Sequence, residues 1–330
     1  MRRIHRVITL LPWLATLVAL PGLAQSPALP GFPAKPVRVL VGYAAGGLPD
    51  TAARIVAQRL GDKWGHQVLV ENRPSANSIL AAELVAKAAP DGYTLLCADS
   101  SALVVNPILF QKLPYDAARD FAPVSLAVRA PLFLAIHPSV PANSLIEFIS
   151  LAKSKPGQLN YGSSGVGSTH HLTMSALSAA AGIDVVHVPF KGTGQSVPAL
   201  IAGQVSLVLS AFPSLAGFAK SNQVRFLAVN SGKRSRLAPT IPTIAEIIGQ
   251  PNFDFAPPIG FLLPAKTPAA LVNAISRDIA AVTRMPEVIK QMQAAGMDPV
   301  GSSAQEYAAQ LKADAERYRV AIRQANLKAE

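Results

Sequence analysis

The sequence predicts an α/β protein built on parallel, doubly wound sheets with helices on their faces. Three observations carry this prediction. Apolar runs typical of buried strands alternate with amphipathic stretches typical of helices, and glycine-rich loops separate several of these pairs. In addition, 330 residues with 50% hydrophobic and 15% charged side chains suit one large or two medium globular domains.

The first third of the chain has a βαβαβ order. The predicted strands read "VRVLVGY", "QVLVEN" and "YTLLCA". The predicted helix "PDTAARIVAQRLGDKWG" has an apolar face formed by Ala52, Ile55, Val56 and Leu60, and a second helix, "ILAAELVAKAA", ends at "PDG". Strands and helices that alternate in this way favour a parallel sheet with crossover helices.

The middle of the chain repeats this order, and the last third is mostly helical. Predicted strands read "FAPVSLAV", "PLFLAIHP", "LNYGSS", "DVVHVPF", "VSLVLSAF" and "VRFLAVN". Predicted helices read "SLIEFISLAKSKPG" and "TMSALSAAAG", and "KGTGQSVPALIAG" is predicted as a third glycine loop with a helix. After one strand in "FAPPIGFLLPAKTP", helices are predicted at "AALVNAISRDIAAVTRM", "PEVIKQMQAAG" and "AQEYAAQLKADAERYRVAIRQAN", the last capping a domain face. Crossings between domains are expected near 124–131 and 240–258.

The first 24 residues are organised like a secretory signal peptide. "MRRIHR" is a basic segment, "VITLLPWLATLVALPGL" is an apolar run, and "GLA" places small side chains before a cleavage site after Ala24. An uncleaved membrane anchor is the alternative, but the run is short for a spanning helix. The one cysteine, Cys97, ends an apolar strand and is interpreted as a buried small hydrophobe, so no intrachain disulfide is expected.

Charge patterning argues against nucleic acid and against a membrane span. The formal net charge is +11, but the basic residues are dispersed and have no interleaved aromatic side chains, so nucleic acid is not an expected partner. Residues 192–219 carry no charge, yet prolines and glycines divide them into short pieces. We interpret this stretch as buried core rather than as a membrane span.

Two glycine-rich loops stand between a predicted strand and a helix. The loop "GYAAGGLPD" precedes the first helix, and the loop "GSSGVGSTHHL" adds hydroxyl groups to the same arrangement. Helix N-termini carry unpaired N–H groups and a partial positive charge, and small residues let a carboxylate or phosphate oxygen approach them. Each loop alone also fits a simple turn. Asp50 fits either a ligand contact or a favourable charge at a helix start.

The sequence does not match the more specific motifs of catalytic and cofactor-binding sites. "GYAAGGL" has no lysine of a phosphate-binding loop, "GVGSTH" lacks the third glycine of a dinucleotide fingerprint, and "GSSGVG" lacks the spacing of a nucleophile elbow. His170 and His171 are neighbours whose side chains point apart on a helix, so they do not form a metal-binding pair. One is expected to cap a pocket and the other to pack or be exposed. No catalytic residue, cofactor or metal is predicted.

An ordered set of motifs resembles the Bug family, the periplasmic solute receptors of tripartite tricarboxylate transporters. The motifs are "KPVRVLVGYAAGGLPDTAAR", "VENRP", "AAPDGYTLL", the pair Asn106–Pro107, "LNYGSSGVGSTHHL", "VPFKGTG", "PALIAGQV" and "SGKRSRLAPTIPTIAE". Each motif is weak alone, but their order from about residue 35 to 250 is specific. The resemblance implies a type II periplasmic binding protein fold, with two α/β domains, a hinge and a ligand cleft between them.

The resemblance also implies domain boundaries and ligand-binding residues. Domain 1 is expected at residues 25–126 plus 250–330, and domain 2 at 127–249. The carboxylate of a small organic acid is expected between the two glycine loops, with loops 99–102 and 190–192 lining the rest of the cleft. The implied residues are Tyr43, Ala45, Gly46, Gly47, Asp50, Ser100, Ser101, Ser164, Gly165, Gly167, Ser168, His170, Phe190 and Gly192.

Three stretches depart from the family pattern. Ser75, Asn77 and Ser78 replace small flexible positions after "ENRP", Ser206 replaces an aspartate, and residues 257–259 lack the usual aromatic. Loss of an acidic group weakens the case for an amino-acid ligand, whose ammonium needs a partner.

The favoured function is a non-catalytic, monomeric periplasmic receptor that delivers a carboxylate to integral membrane transporter subunits. One alternative is a receptor that feeds a sensor ectodomain. The other is a periplasmic enzyme on the same fold, for which Asp50 and His170 are the candidate acid and base.

Overall fold

The computed structural model describes residues 31–43, 45–190 and 192–324. The signal peptide and the uncleaved anchor considered for residues 1–24 lie outside these ranges. In the described part of the chain, no helix is long and apolar enough to cross a membrane.

Eleven strands form two sheets among these residues. In chain order they are β1 Val37–Val41, β2 Val68–Asn72, β3 Thr94–Ala98, β4 Phe121–Arg129, β5 Leu132–Ile136, β6 Asn160–Ser163, β7 Val186–Pro189, β8 Leu207–Ala211, β9 Arg225–Val229, β10 Pro258–Pro264 and β11 Asp298–Pro299. The first sheet has the order β11-β4-β10-β3-β1-β2, and the second has the order β7-β6-β8-β5-β9. We call the parts of the chain around them the first and second lobes.

The predicted α/β class is confirmed, but the sheets are mixed rather than purely parallel. β1 runs parallel to β2 and β3, and β6 runs parallel to β7 and β8. By contrast, β10 is antiparallel to β3 and β4, and β5 is antiparallel to β8 and β9. Both β5 and β10 enter their sheet from the other lobe, so no right-handed crossover helix within one sheet sets their direction.

The helices cover the faces of both sheets. They are α1 Leu48–Trp64, α2 Ile79–Ala86, α3 Asn106–Leu109, α4 Leu145–Ser154, α5 Thr169–Ala181, α6 Thr193–Ile201, α7 Phe212–Lys220, α8 Ile244–Ile248, α9 Ala269–Thr283, α10 Pro286–Ala294 and α11 Ala304–Gln324. A 3₁₀ turn at Ala76–Ser78 precedes α2, and a π-helical turn at Ser101–Val105 precedes α3. The sequence patterns did not predict α3, α7, α8 or the π-helical turn.

Helix α5 begins four residues earlier than predicted. The expected start was Thr173, at "TMSALSAAAG", but the helix begins at Thr169. The reason is its cap, because the Ser168 hydroxyl accepts a hydrogen bond from the His171 N–H at 3.3 Å. The two histidines therefore lie on the first turn of a helix that starts at the glycine loop.

The chain crosses between the lobes at two places and is bridged at a third. It passes from β4 to β5 through residues 130–131 and returns between β9 and β10. Helix α11 packs on β4 and also contacts α5, so it joins the lobes instead of capping one face as predicted. Sheet membership extends the first lobe to Arg129, while the domain boundaries at 126 and 249 stay predictions.

Cys97 is fully buried beneath α1, as predicted. Its thiol approaches the Pro49 carbonyl oxygen at 3.6 Å, and burial raises its pKa well above the ordinary value. The thiol therefore acts as a small core side chain.

Candidate functional site

Two loops of the first lobe lie side by side at the carboxyl ends of β1 and β3. Val41 pairs with Cys97 in the parallel ladder, so loops 42–47 and 99–102 leave the sheet together. The Tyr43 hydroxyl donates a hydrogen bond to Asp99 Oδ1 at 2.8 Å and ties the loops to each other. The carboxyl edge of parallel strands is where α/β proteins bind ligands.

Asp50 holds the first glycine loop from within. Its Oδ2 accepts from the Gly46 N–H at 2.8 Å, and its Oδ1 accepts from the Asn72 side-chain amide at 2.8 Å. Arg54 forms an ion pair with the same carboxylate. Burial acts to raise the pKa of Asp50, but the hydrogen bonds from Arg54, Gly46 and Asn72 outweigh it and lower the pKa. The buried, ionised carboxylate thus supports the loop, and a direct ligand contact stays a prediction.

Gly46 and Gly47 have different backbone conformations. Gly46 has a φ of +85°, which L side chains rarely adopt. Gly47, with φ −70° and ψ 163°, is the N-cap of α1 and makes no side-chain cap hydrogen bond. The first turn of α1 therefore begins as bare backbone, with Pro49 as its second residue.

The second lobe presents a matching pair of loops at the carboxyl ends of β6 and β7. Ser163 pairs with Pro189, and the Phe190 N–H donates to the Ser163 carbonyl at 3.1 Å. Gly165 and Gly167 have φ values of +112° and +74°, so the loop turns twice where glycine is required. The Ser168 hydroxyl closes the loop by donating to the Gly165 carbonyl at 2.7 Å.

A stack of three rings supports this second glycine loop. His171 stacks on His187 with ring centroids 3.9 Å apart, and Tyr161 stacks on the other side of His187 at 5.0 Å. His171 Nδ1 accepts from the Gly167 N–H at 3.2 Å. Burial and the neighbouring His187 lower the pKa of His171 to about 4, so it stays neutral and keeps this acceptor at neutral pH. His171 is therefore the packed histidine of the adjacent pair.

His170 and Ser100 carry buried polar atoms without a hydrogen-bond partner among the described residues. The atoms are both ring nitrogens of His170 and the Ser100 Oγ. Burial lowers the pKa of His170 to about 4. A buried polar atom that the protein leaves unpaired is costly, which is typical of a place where a ligand or water supplies the partner.

The C-terminal helix joins the two sets of loops from behind. Burial raises the pKa of Tyr318 to about 12, while the nearby hydroxyls of Ser100 and Thr169 act in the opposite direction. Its phenol therefore lies next to a hydroxyl from each lobe. Sequence reasoning did not associate α11 with the site, because nothing local in its amphipathic pattern distinguishes this tyrosine.

The lobes also meet at the front of the loops. A Cβ added to Gly167 would lie 3.1 Å from Leu109 Cδ1, so the second glycine loop touches the segment that follows the π-helical turn. The Phe190 ring lies over Gly162, where an added Cβ would be 3.2 Å from its Cε2. The second glycine loop is thus packed by Phe190 of its own lobe and lies close to Leu109 of the first lobe.

All fourteen residues singled out from the sequence lie at these edges. They differ in exposure: Asp50 and Ser100 are buried, and Ala45 and Gly46 are exposed. The remaining ten are half-buried: Tyr43, Gly47, Ser101, Ser164, Gly165, Gly167, Ser168, His170, Phe190 and Gly192. Their role in ligand binding stays a prediction. Asp99, Leu109, His187 and Tyr318 were not on that list, and only Asp99, which follows a buried strand, carries a local signal.

The departures from the family pattern lie at different distances from the loops. Asn77 and Ser78 adopt φ values of +47° and +64°, the conformation that glycine prefers, and Ser78 packs on Gly42 at the start of the first loop. Ser206 instead pairs with Asn160, its N–H donating to Asn160 Oδ1 at 2.7 Å. Asn160 begins β6, so Ser206 lies at the sheet edge opposite the glycine loop.

Residues 257–259 lie beside the first-lobe loops. β10 starts at Pro258 and runs antiparallel to β3, with Gly260 opposite Ala98. The Pro257 carbonyl accepts from the Ala130 N–H at 2.9 Å. Residues 257–259, which lack the family's usual aromatic side chain, therefore lie beside residues 130–131, where the chain passes from one lobe to the other.

Two α/β lobes, each with a glycine loop at a helix N-terminus, have the architecture of a two-lobed binding protein. A family model described as "Tripartite tricarboxylate transporter family receptor" matches residues 52–327. The chain belongs to this family of solute-binding receptors, which confirms the resemblance seen in the motifs. Protein BugT of Bordetella pertussis is 33% identical over 270 residues, covering 82% of each chain.

Solved structures share this fold. A structure described as a periplasmic transporter is 33% identical with a TM-score of 0.76, and the match covers 91% of this chain and all of the other. Rpa4515 of R. palustris with adipate is 29% identical with a TM-score of 0.77 and the same coverage. MatC of Rhodopseudomonas palustris with bound malate is 28% identical with a TM-score of 0.72, covering 88% of this chain and all of MatC.

Proposed function

We propose that this chain captures a small carboxylated organic acid by closure of its lobes and delivers it to a tripartite tricarboxylate-type membrane transporter. The observation that carries the proposal is that each lobe presents a glycine loop at a helix N-terminus, at Gly47 before α1 and at Ser168 before α5. The second of these loops lies close to the first lobe, since a Cβ added to Gly167 would be 3.1 Å from Leu109 Cδ1. Neither loop contains a lysine or arginine. Main-chain N–H groups, hydroxyl groups and helix dipoles therefore bind the anion.

The two loops divide the work of binding. The Gly46 N–H is already bonded to Asp50, so the first-lobe contact to a carboxylate falls to the N–H groups that follow it at the start of α1. Across the cleft, Ser164 and the first turn of α5 provide hydroxyl and N–H donors. A ligand bridging both sides stabilises the closed arrangement by its differential affinity for it.

The ligands of related structures support a carboxylate. Adipate and malate, carried by Rpa4515 and MatC, are both dicarboxylates. An enzyme on this fold is less well supported, because Asp50 is committed to Gly46, Arg54 and Asn72. Of the two candidates, only His170, whose ring nitrogens are unpaired among the described residues, then remains as an acid or base. We place the mature chain in the periplasm as a monomer after cleavage at Ala24. A sensor ectodomain is the alternative recipient of the signal.

A thermal-shift panel tests the proposal. Residues 25–330 are refolded free of ligand and melted with mono-, di- and tricarboxylates, amino acids and aromatic acids. A ligand at 100 times its dissociation constant adds about 2.7 kcal/mol to the free energy of unfolding. That raises the melting temperature by several degrees, since 1 kcal/mol shifts it by about 2–4 °C in chains of about 150–250 residues and by less in a longer chain. No shift with any acid contradicts the proposal.

The variant Gly47→Val identifies where the acid binds. The backbone at Gly47 is allowed for L side chains, so the fold is expected to survive while the isopropyl group blocks the start of α1. We expect loss of the thermal shift in this variant. Gly217→Val is the matched control, because Gly217 lies in α7 and an added Cβ there meets nothing within 4 Å. An unchanged thermal shift in Gly47→Val would refute the proposal that the carboxylate binds at the start of α1.

A further inference from the structure

Asp99 is an acidic side chain at the place proposed to hold an anion. It follows β3 directly and lies half-buried beside the first glycine loop. Oδ1 accepts from the Tyr43 hydroxyl at 2.8 Å and from the Ser101 N–H at 2.9 Å. Both of these bonds end on Oδ1, and the Ser101 hydroxyl is a further donor beside the carboxylate. Oδ2 is therefore the oxygen that can accept from a ligand.

No cation balances this carboxylate in the described part of the chain. The salt bridges there engage other acids, including Asp50, Asp254 and Asp314, but none involves Asp99. Burial raises the pKa of Asp99, and the bonds from Ser101 and Tyr43 only partly oppose that effect. A half-buried carboxylate without a cation costs stability, and it would also repel an anionic ligand unless that ligand supplies a compensating donor.

We propose that Asp99 is a specificity-determining residue that selects acids bearing a hydroxyl or ammonium group beside their carboxylate over the unsubstituted acids. The proposal rests on the carboxylate-binding function above. The ligand's carboxylate sits on the helix N-termini, and its hydroxyl or ammonium donates to Asp99 Oδ2. Tyr43 and Ser101 position the acceptor from the other side.

The departure at Ser206 no longer argues against such a ligand. It removes an acidic group from the family pattern, but Ser206 pairs with Asn160 at the opposite edge of the second sheet. Asp99, in contrast, lies between Tyr43 and Ser101 at the loop edge of the first sheet. The acidic partner needed by an amino or hydroxy acid is therefore present, at a different position in the chain.

Matched acid triads test the selection independently of chain length. Calorimetry compares propionate, lactate and alanine; succinate, malate and aspartate; and glutarate, 2-hydroxyglutarate and glutamate. In the triad that binds, we expect a substituted acid to bind about tenfold or more tightly than the unsubstituted one, as for a hydrogen bond to a charged group. Comparison of the amino acid with the hydroxy acid in each triad shows whether an ammonium or a hydroxyl group is the preferred donor to Asp99.

Asp99→Asn removes the charge but keeps an oxygen that can accept from Tyr43 and Ser101. We expect the preference for the substituted acid to fall by about tenfold, partly through a gain for the unsubstituted acid. Asp62→Asn is the matched control, since it removes one acidic charge from a side chain that is 64% exposed on α1. Because the readout is a ratio of affinities, a general loss of stability does not imitate it.

The outcomes separate this inference from the function on which it rests. If acids bind but no triad shows a preference, the role of Asp99 is overturned and the receptor function stands. The same holds if a preference is seen and Asp99→Asn leaves it unchanged. Tighter binding of the unsubstituted acids would mean that Asp99 is protonated and donates, which also overturns it. Absence of binding by every acid overturns both proposals.

Discussion

Single residues near the cleft act mainly on the shape of the loops. Asp50 ties Gly46 to Arg54 and Asn72, and His171 accepts from the Gly167 N–H. Each bond depends on one protonation state, a carboxylate at Asp50 and a neutral imidazole at His171. The loops are therefore held ready for a ligand near neutral pH, at the expense of stability in acid.

His171 predicts the direction of the pH dependence of stability. Burial and His187 lower its pKa from 6.5 to about 4 in the folded protein. Between these two pH values the unfolded chain binds a proton that the folded chain does not, so the free energy of unfolding falls as the pH drops from 6.5 towards 4. We expect denaturant unfolding at pH 7, 5.5 and 4.5 to show this fall.

The variant His171→Asn separates titration from packing. Its side-chain oxygen can accept from Gly167, but it does not titrate, so the fall in stability with acid is expected to be shallower although the stack with His187 is lost. His66→Asn serves as the control, since half-buried His66 follows α1 in the first lobe and is not one of the three stacked rings. Equal slopes in all three proteins would show that His171 contributes nothing to the acid sensitivity.

At the scale of elements, strands deliver the loops and helix starts form the binding surface. β1, β3, β6 and β7 end at the same edges as the loops described above, and α1, α5 and α6 begin there. Two of these helices have a glycine N-cap without a side-chain cap, Gly47 and Gly192, whereas α5 is capped by Ser168. The α5 cap also shapes the loop, since the same hydroxyl donates to the Gly165 carbonyl.

Two serine caps make a matched pair for testing this double role. Ser168 caps α5 through the His171 N–H at 3.3 Å, and Ser144 caps α4 through the Glu147 N–H at 3.2 Å. We expect Ser168→Ala and Ser144→Ala each to lose about 1 kcal/mol of unfolding free energy. Only Ser168→Ala is expected to weaken ligand binding, measured by calorimetry with the best acid of the panel. Equal affinity in both variants would mean that the Gly165 contact does not hold the loop.

Across the whole molecule, the lobes share one hydrophobic cluster behind the cleft. It joins Val104 and Val105 of the first lobe to Leu172 and Leu134 of the second, with Tyr318 of α11 between them. A shared core resists separation of the lobes, because opening exposes apolar surface at about 25 cal/mol per Å². Ligand binding must therefore supply only part of the free energy of closure.

Closure predicts a change in overall size. We expect small-angle scattering to give a smaller radius of gyration for protein saturated with its acid than for ligand-free protein, with the saturated profile matching the structure described above. The chain segments at 130–131 and between β9 and β10 are the expected pivots. Identical profiles with and without ligand would show that the shared core keeps the lobes closed and that ligand entry needs only loop motion.

Local signals in the sequence were enough for much of the fold. Strand and helix periodicity placed β1 to β10 and most long helices, because side-chain alternation and amphipathic faces depend on near neighbours. Glycines at Gly46, Gly165 and Gly167 marked loops that do turn through positive φ. The burial of Cys97 followed from the apolar run around it, and ordered motifs identified the family.

Tertiary structure alone decided strand direction and the supports of the site. β5 and β10 run antiparallel because the chain reaches them from the other lobe. Tyr43 and Asp99 are 56 residues apart in sequence, yet their side chains are hydrogen-bonded. The stacking of His187 on His171 also joins two separate elements. By itself the sequence determined which segments become strands, helices and glycine loops, because those choices are made by neighbouring residues. Which side chains meet at the loop edges was decided by packing within each lobe, since burial and hydrogen bonding depend on distance in space.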